Sequence, residues 1–160
     1  MNIDKLIAEI IPKNDYRHRN GFNNSKIIDS LNNLEKQLVE EALIKKMAET
    51  KDMLAVETLA YMKSQKSLPA LHTLIGECLD EMQKIIIATS IYEINKDEEM
   101  VDIAIGSFHN LNNSYQIISA FYYLVKFKNP MADSLVKEYL NSSDYLLSYN
   151  AKRALEIECI

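Results

Sequence analysis

Four apolar helical segments recur at an almost constant interval along the last two thirds of this chain. VETLAYM, IATSIYEI, SAFYYLV and NAKRALEI fall in register when Glu57, Ala88, Ala120 and Ala151 are equivalent, about 31 to 32 residues apart. Another apolar stripe of helical period precedes each segment, so every interval holds a helix pair. One such pair cannot bury both of its faces, whereas stacked pairs supply the apolar wall that each neighbour lacks. Close helix approach demands a small residue, which explains Ala in three copies. Glu57 breaks the pattern in the first, as a terminal or interface-facing copy can.

The breaks between stripes carry helix-ending and helix-starting chemistry. Apolar positions 3, 6, 7, 10 and 11 form an N-terminal stripe that Pro12 ends. The following KNDYRHRNGFNN, residues 13–24, has no stripe and reads as a loop, in which Arg17, His18 and Arg19 lie between Tyr16 and Phe22. Its expected role is a linker, with a binding arm as the alternative. Ser25 is expected to cap a short helix through Leu31, and Asn32 with Asn33 the next. That next helix should turn Leu34, Leu38, Ala42 and Met47 to one face with Val39 and Leu43. Thr50 to Asp52, SQKSLP, Leu79 to Glu81, NKDEE, NNS, KNP and NSSD then punctuate the chain, the helix after KNP running to Leu140. Pro69 and Pro130 suit first-turn positions, where a missing N–H costs nothing, and Ser143 and Asp144 suit caps.

The pairs, their period and the AKRALEI stretch after a capped turn resemble HEAT-like repeats, in which the second helix of each pair carries a small and then a basic residue. Lys152 and Arg153 match the basic place; Thr89, Ser90, Phe121 and Tyr122 do not. The resemblance covers about residues 33–160 and implies an all-α fold: a short right-handed α-solenoid of about four HEAT-like helix pairs with an N-terminal helical extension. At 160 residues the chain suits one domain, with residues 1–33 as N-terminal helices and polar loop and 34–160 as the pairs. Three Gly and three Pro leave little room for a turn-rich β fold.

Residues able to do chemistry are few and scattered. His18, His72 and His109 form no metal-binding spacing, and each reads as a surface or packed structural histidine. Cys78 and Cys159 read as reduced thiols without a metal-ligand spacing. Gly21, Gly76 and Gly106 are too dispersed for a phosphate loop, and the acidic clusters lack the alternating oxygen ligands of a calcium loop. No catalytic residue, cofactor or metal is expected. A net charge of -5 and the absence of Trp argue against direct nucleic-acid binding, including that of HEAT-like DNA glycosylases. No segment approaches the roughly 20 apolar residues of a membrane span. Asp4 and Glu9 interrupt the N-terminal apolar run, against a signal peptide, so the expected address is cytoplasmic.

Tyrosine and acidic charge remain. There are nine Tyr against four Phe, and Tyr combines apolar area with a polar tip, as interfaces require. Tyr61 and Tyr92, equivalent in this register, should be mainly core; Tyr122, Tyr145 and Tyr149 are candidate contacts, as are Glu77, Asp80, Glu81, Asp97, Glu98 and Glu99. Stacked pairs place equivalent turns along one edge, so part of the acid should gather into a negative strip that steers a basic protein. Size, isolation as one array, and abundant Asn, Ile and Lys resemble immunity proteins of contact-dependent and polymorphic toxin systems. That resemblance implies a bacterial protein that binds and blocks a basic toxin domain, a nuclease by preference. The alternatives are a general scaffold or adaptor, and an enzyme with a dispersed site.

Overall fold

The computed structural model describes residues 2–157, and these are helical throughout their regular structure, with no strand among them. The N-terminal segment holds α1 (Ile3–Ile10), α2 (Tyr16–Arg19) and α3 (Ser25–Ser30). Eight helices follow: α4 (Asn33–Thr50), α5 (Met53–Tyr61), α6 (Leu68–Glu77), α7 (Glu81–Asn95), α8 (Glu99–His109), α9 (Ser114–Leu124), α10 (Pro130–Lys137) and α11 (Tyr145–Ile157). Helices α5, α7, α9 and α11 pack in series, each on the next. Helices α4, α6 and α10 lie against the helix that follows them, while α8 fills the angle between α7 and α9.

Local chemistry explains most boundaries. Asn32 accepts the Glu35 N–H at 3.0 Å while the Glu35 carboxylate accepts the Asn32 N–H at 2.9 Å, a reciprocal cap that starts α4. Side-chain oxygens of Asp52, Asp80, Asn113 and Asn129 cap α5, α7, α9 and α10. Asp144 accepts the Leu146 N–H at 2.9 Å at the start of α11. Pro69 and Pro130 occupy first-turn positions as expected.

Helix α7 is the centre of the core. It buries Ile85, Ile87, Ala88, Thr89, Ser90, Ile91 and Ile94, because α5, α6, α8 and α9 cover it on several sides. A helix enclosed in this way needs apolar residues around most of its circumference, and IIIATSI provides them. Thr89 hides its hydroxyl by donating to the Ile85 carbonyl at 2.7 Å.

Several sequence expectations change in the folded chain. Ala55 is the fully buried alanine of α5, matching Ala88, Ala120 and Ala151, which are all completely inaccessible. Glu57 is half-buried, whereas Ala55 and its near neighbour Ala60 are both buried, and Ala55, Ala88, Ala120 and Ala151 stand 33, 32 and 31 residues apart. Alignment on Ala55 also removes the equivalence of Tyr61 and Tyr92. Tyr92 packs on Phe127 with ring centroids 4.9 Å apart, whereas Tyr61 is 47% exposed and donates to Asp29 at 2.9 Å. Leu34 and Leu38 are exposed, since no helix covers the N-terminal turns of α4 on their side; Val39, Leu43 and Met47 form its buried stripe. Ser25 is the first residue of α3 and makes no cap; its N–H instead donates to Asn23. Helix α10 ends at Lys137, short of Leu140, and the chain passes into turns.

The 13–24 segment contains the short helix α2 and is tied to α5 in place of hanging free. The Arg19 guanidinium grips Asp52 with two hydrogen bonds of 2.7 and 2.6 Å and also donates twice to the Pro12 carbonyl. Buried Asn24 donates to the Ile10 carbonyl and to the Thr58 hydroxyl at 3.0 and 2.8 Å. Together with the Tyr61–Asp29 bond, these contacts fasten the N-terminal segment along α5. A passive linker and a mobile arm both fit this arrangement poorly.

Candidate functional site

The series α5, α7, α9 carries a groove of about 480 Å³ on one face. Met82 and Ile86 of α7 form one side; Ser119, Tyr122 and Tyr123 of α9 form the other. Ser119 leaves a depression between larger neighbours, with its hydroxyl turned back to donate to the Tyr115 carbonyl at 3.0 Å. Glu57 and Lys126 stand at the groove as its charged groups.

Two tyrosine hydroxyls bridge helices at this face. Tyr123 donates to Glu57 at 2.6 Å, joining α9 to α5, and Tyr122 donates to Asn150 at 2.7 Å, joining α9 to α11. Both phenols are fixed by a second helix, so their rings present a preformed wall. Burial pushes the Tyr123 phenol far above its ordinary value, and the Glu57 charge and hydrogen bond add to the effect, which keeps Tyr123 a neutral donor. Lys126 lies 3.6 Å from Glu93 and 5.3 Å from the Tyr123 ring centroid, spending its charge on neighbours.

Of the residues singled out from sequence, Tyr122 alone lines this groove. Tyr145 and Tyr149 stack with ring centroids 5.8 Å apart on α11 and are 72% and 47% exposed. The acidic candidates divide between opposite ends of α7, whose 15 residues span about 22 Å. Glu77, Asp80 and Glu81 lie at its start; Asp97, Glu98 and Glu99 follow its end. Most of them have structural partners. Asp80 caps α7 through Gln83, Asp97 accepts the Glu99 N–H, and Glu77 lies 3.9 Å from Lys51. Glu81 is held below the usual carboxylate range by hydrogen bonds from Ser107 and then Lys84. Glu98 and Glu99 are exposed.

The turns at Glu49 to Asp52 and at Glu77 to Glu81 approach one another through Lys51 and Glu77, and acidic and basic groups are mixed there. Where Glu49 and Glu77 lie, Lys45 and Lys51 are interleaved with them at 3.9 Å. A large open cleft beside this edge, between α1 and the end of α4, likewise mixes Lys13, Lys45, Lys46 and Lys51 with Asp4 and Glu49. Sequence reasoning missed Glu57, Met82, Ile86 and Lys126 as one constellation. Only the i, i+4 spacing of Met82 and Ile86 on α7 hinted at a shared face.

Converging reactive groups are absent among the described residues. No three His, Cys, Asp or Glu side chains come together as a metal site. His18 meets Asp15 at 2.7 Å on an exposed turn, His109 lies beside Phe108, and His72 is exposed. Cys78 is half-buried and weakly contacts the Asp80 carbonyl and Gln83; Cys159 lies outside the described residues. No described helix is long and apolar enough to cross a membrane. Comparison with family models, curated proteins and solved structures returns no match.

Proposed function

We propose that this chain is a non-catalytic protein-binding module, a short right-handed α-solenoid of HEAT-like helix pairs, and that it acts as a cytoplasmic immunity protein. It binds a basic toxin domain, a nuclease by preference, and blocks it. The observation that carries the reading is the preformed groove on α7 and α9, with apolar Met82 and Ile86 on one side and a tyrosine locked to another helix on the other. Apolar area with a rigid aromatic wall and few charges is the composition of an interface centre.

The solenoid component draws on the series α5, α7, α9, α11 and on the alanines buried in each of those helices, Ala55, Ala88, Ala120 and Ala151 among them. Left-handed lysines add to it: Lys63, Lys96 and Lys128 end successive second helices 33 and 32 residues apart. The net charge of -5 favours approach of a basic partner, contributing more to encounter rate than to final affinity.

The test is growth of bacteria expressing the protein encoded beside this one, or its C-terminal domain, with and without this chain. Toxicity relieved by co-expression is expected, and relief should be lost with Ile86→Asp, which places a charge on the apolar side of the groove. Toxicity untouched by the wild-type chain would overturn the immunity reading. The exposed Tyr145 and Tyr149 on α11 favour a second reading, a scaffold with another contact area. A scaffold would bind several partners at moderate affinity and retain some of them after Ile86→Asp.

A further inference from the structure

Glu57 occupies a position that the immunity reading does not explain. It lies half-buried on α5 and borders two separate hollows. On one side is the groove with Met82, Ile86 and Tyr122; on the other, Phe22, Leu54 and Tyr61 together with the polar Asn23, Asn24, Ser25 and Thr58 form a smaller hollow. The carboxylate is thus a saddle between a mainly apolar groove and a hollow of mixed polarity.

Its partners leave it electrically incomplete. The Tyr123 hydroxyl occupies one oxygen at 2.6 Å and carries no charge. Lys126 belongs to the same groove, yet its ammonium is directed to Glu93 at 3.6 Å. Arg19, the cation fastened to α5 from the N-terminal segment, is consumed by Asp52. Among the described residues, no salt bridge reaches Glu57. A half-buried carboxylate held by a neutral donor gains most from a cation that arrives with a partner, because the surrounding apolar surface then excludes water from the pair.

We infer that Glu57 is the recognition point for an arginine or lysine of the partner protein, flanked there by an apolar side chain that enters the groove beside it. The cationic head meets the unoccupied carboxylate oxygen, and its aliphatic stem lies on Met82 and Ile86. An acidic or polar segment would leave Glu57 unpaired and desolvated, so charge sets specificity here while the groove supplies contact area. This inference rests on the protein-binding reading and names the chemistry at its centre.

Methyl NMR on the full chain tests it with two synthetic probes, acetyl-Leu-Ser-Arg-Ser-Leu-amide and the same peptide with Glu in place of Arg. Saturable shifts at the Ile86 and Met82 methyls are expected with the arginine peptide alone. Glu57→Gln retains an acceptor for Tyr123 and removes only the charge, so it should weaken that binding about tenfold. Equal response to both peptides, no response to either, or full binding by Glu57→Gln would overturn the inference. The growth assay separates the two levels. If the wild-type chain and Glu57→Gln protect equally, the immunity reading survives and the saddle does not. If the wild-type chain fails to protect, the immunity reading falls, while the peptide titration still judges the saddle.

Discussion

At the scale of single residues, Arg19 and Asp52 illustrate how a polar segment acquires a fixed place. Burial by itself would raise the Asp52 carboxyl. Hydrogen bonds from Arg19 and the Leu54 N–H, with the Arg19 charge, outweigh it and hold the group below its ordinary 3.8. The unfolded chain therefore takes up a proton before the folded one does as pH falls. The pair's contribution is fully present above pH 3.8 and is lost as pH drops through the lower folded value. Asp52→Asn should remove about 2 kcal/mol near neutral pH, less than for a wholly buried pair because Arg19 keeps some contact with water. Denaturant unfolding of both proteins across pH 2 to 7 checks this: the gap should close at the acid end, and a constant gap would mean another interaction is being lost. None of this was legible in KNDYRHRNGF. Its lack of periodicity correctly excluded a long helix, but an ion pair across 33 positions leaves no local trace.

Elements are governed by which face is covered. The apolar stripes announced nearly every helix, and Asn, Asp and Pro marked nearly every start, because caps and first turns are decided within four residues. The ends were harder to see. Lys51, Lys63, Lys96 and Lys128 adopt left-handed backbone at φ between 48° and 60°, where glycine or asparagine is the usual signal. The alanine register slipped by two in α5 because Ala55 and Glu57 both lie in a short apolar run; only burial distinguishes them. Ala88 sits without accessible surface at the centre of α7, so Ala88→Leu should force neighbouring helices apart and cost about 1 to 3 kcal/mol. Tyr149→Ser on the exposed face of α11 should change stability by less than about 0.5 kcal/mol. Thermal unfolding of the two variants ranks them, and the opposite order would place the dense packing elsewhere.

For the whole molecule, the serial packing around α7 sets where the structure opens first. Helix α7 touches α5, α6, α8 and α9, while α1 and α11 each lie toward one end of the chain of contacts. Amide hydrogen exchange should be slowest at Ile87 to Ile91 and fastest near the ends, with α1 opening before α7. Uniform protection from α1 to α11 would instead indicate a single all-or-none unit.

From its sequence alone the chain was determined to be all-helical, with most of its helix starts marked. Those properties follow from periodicity, caps and residue spacing, which act over a turn or two of chain. Tertiary structure decided which small residues are buried and which tyrosines are locked to another helix. It also decided that Glu57, Ile86 and Tyr122 share one face. Such residues are 29 to 65 positions apart, and only the packing of α5, α7 and α9 brings them within reach of one partner.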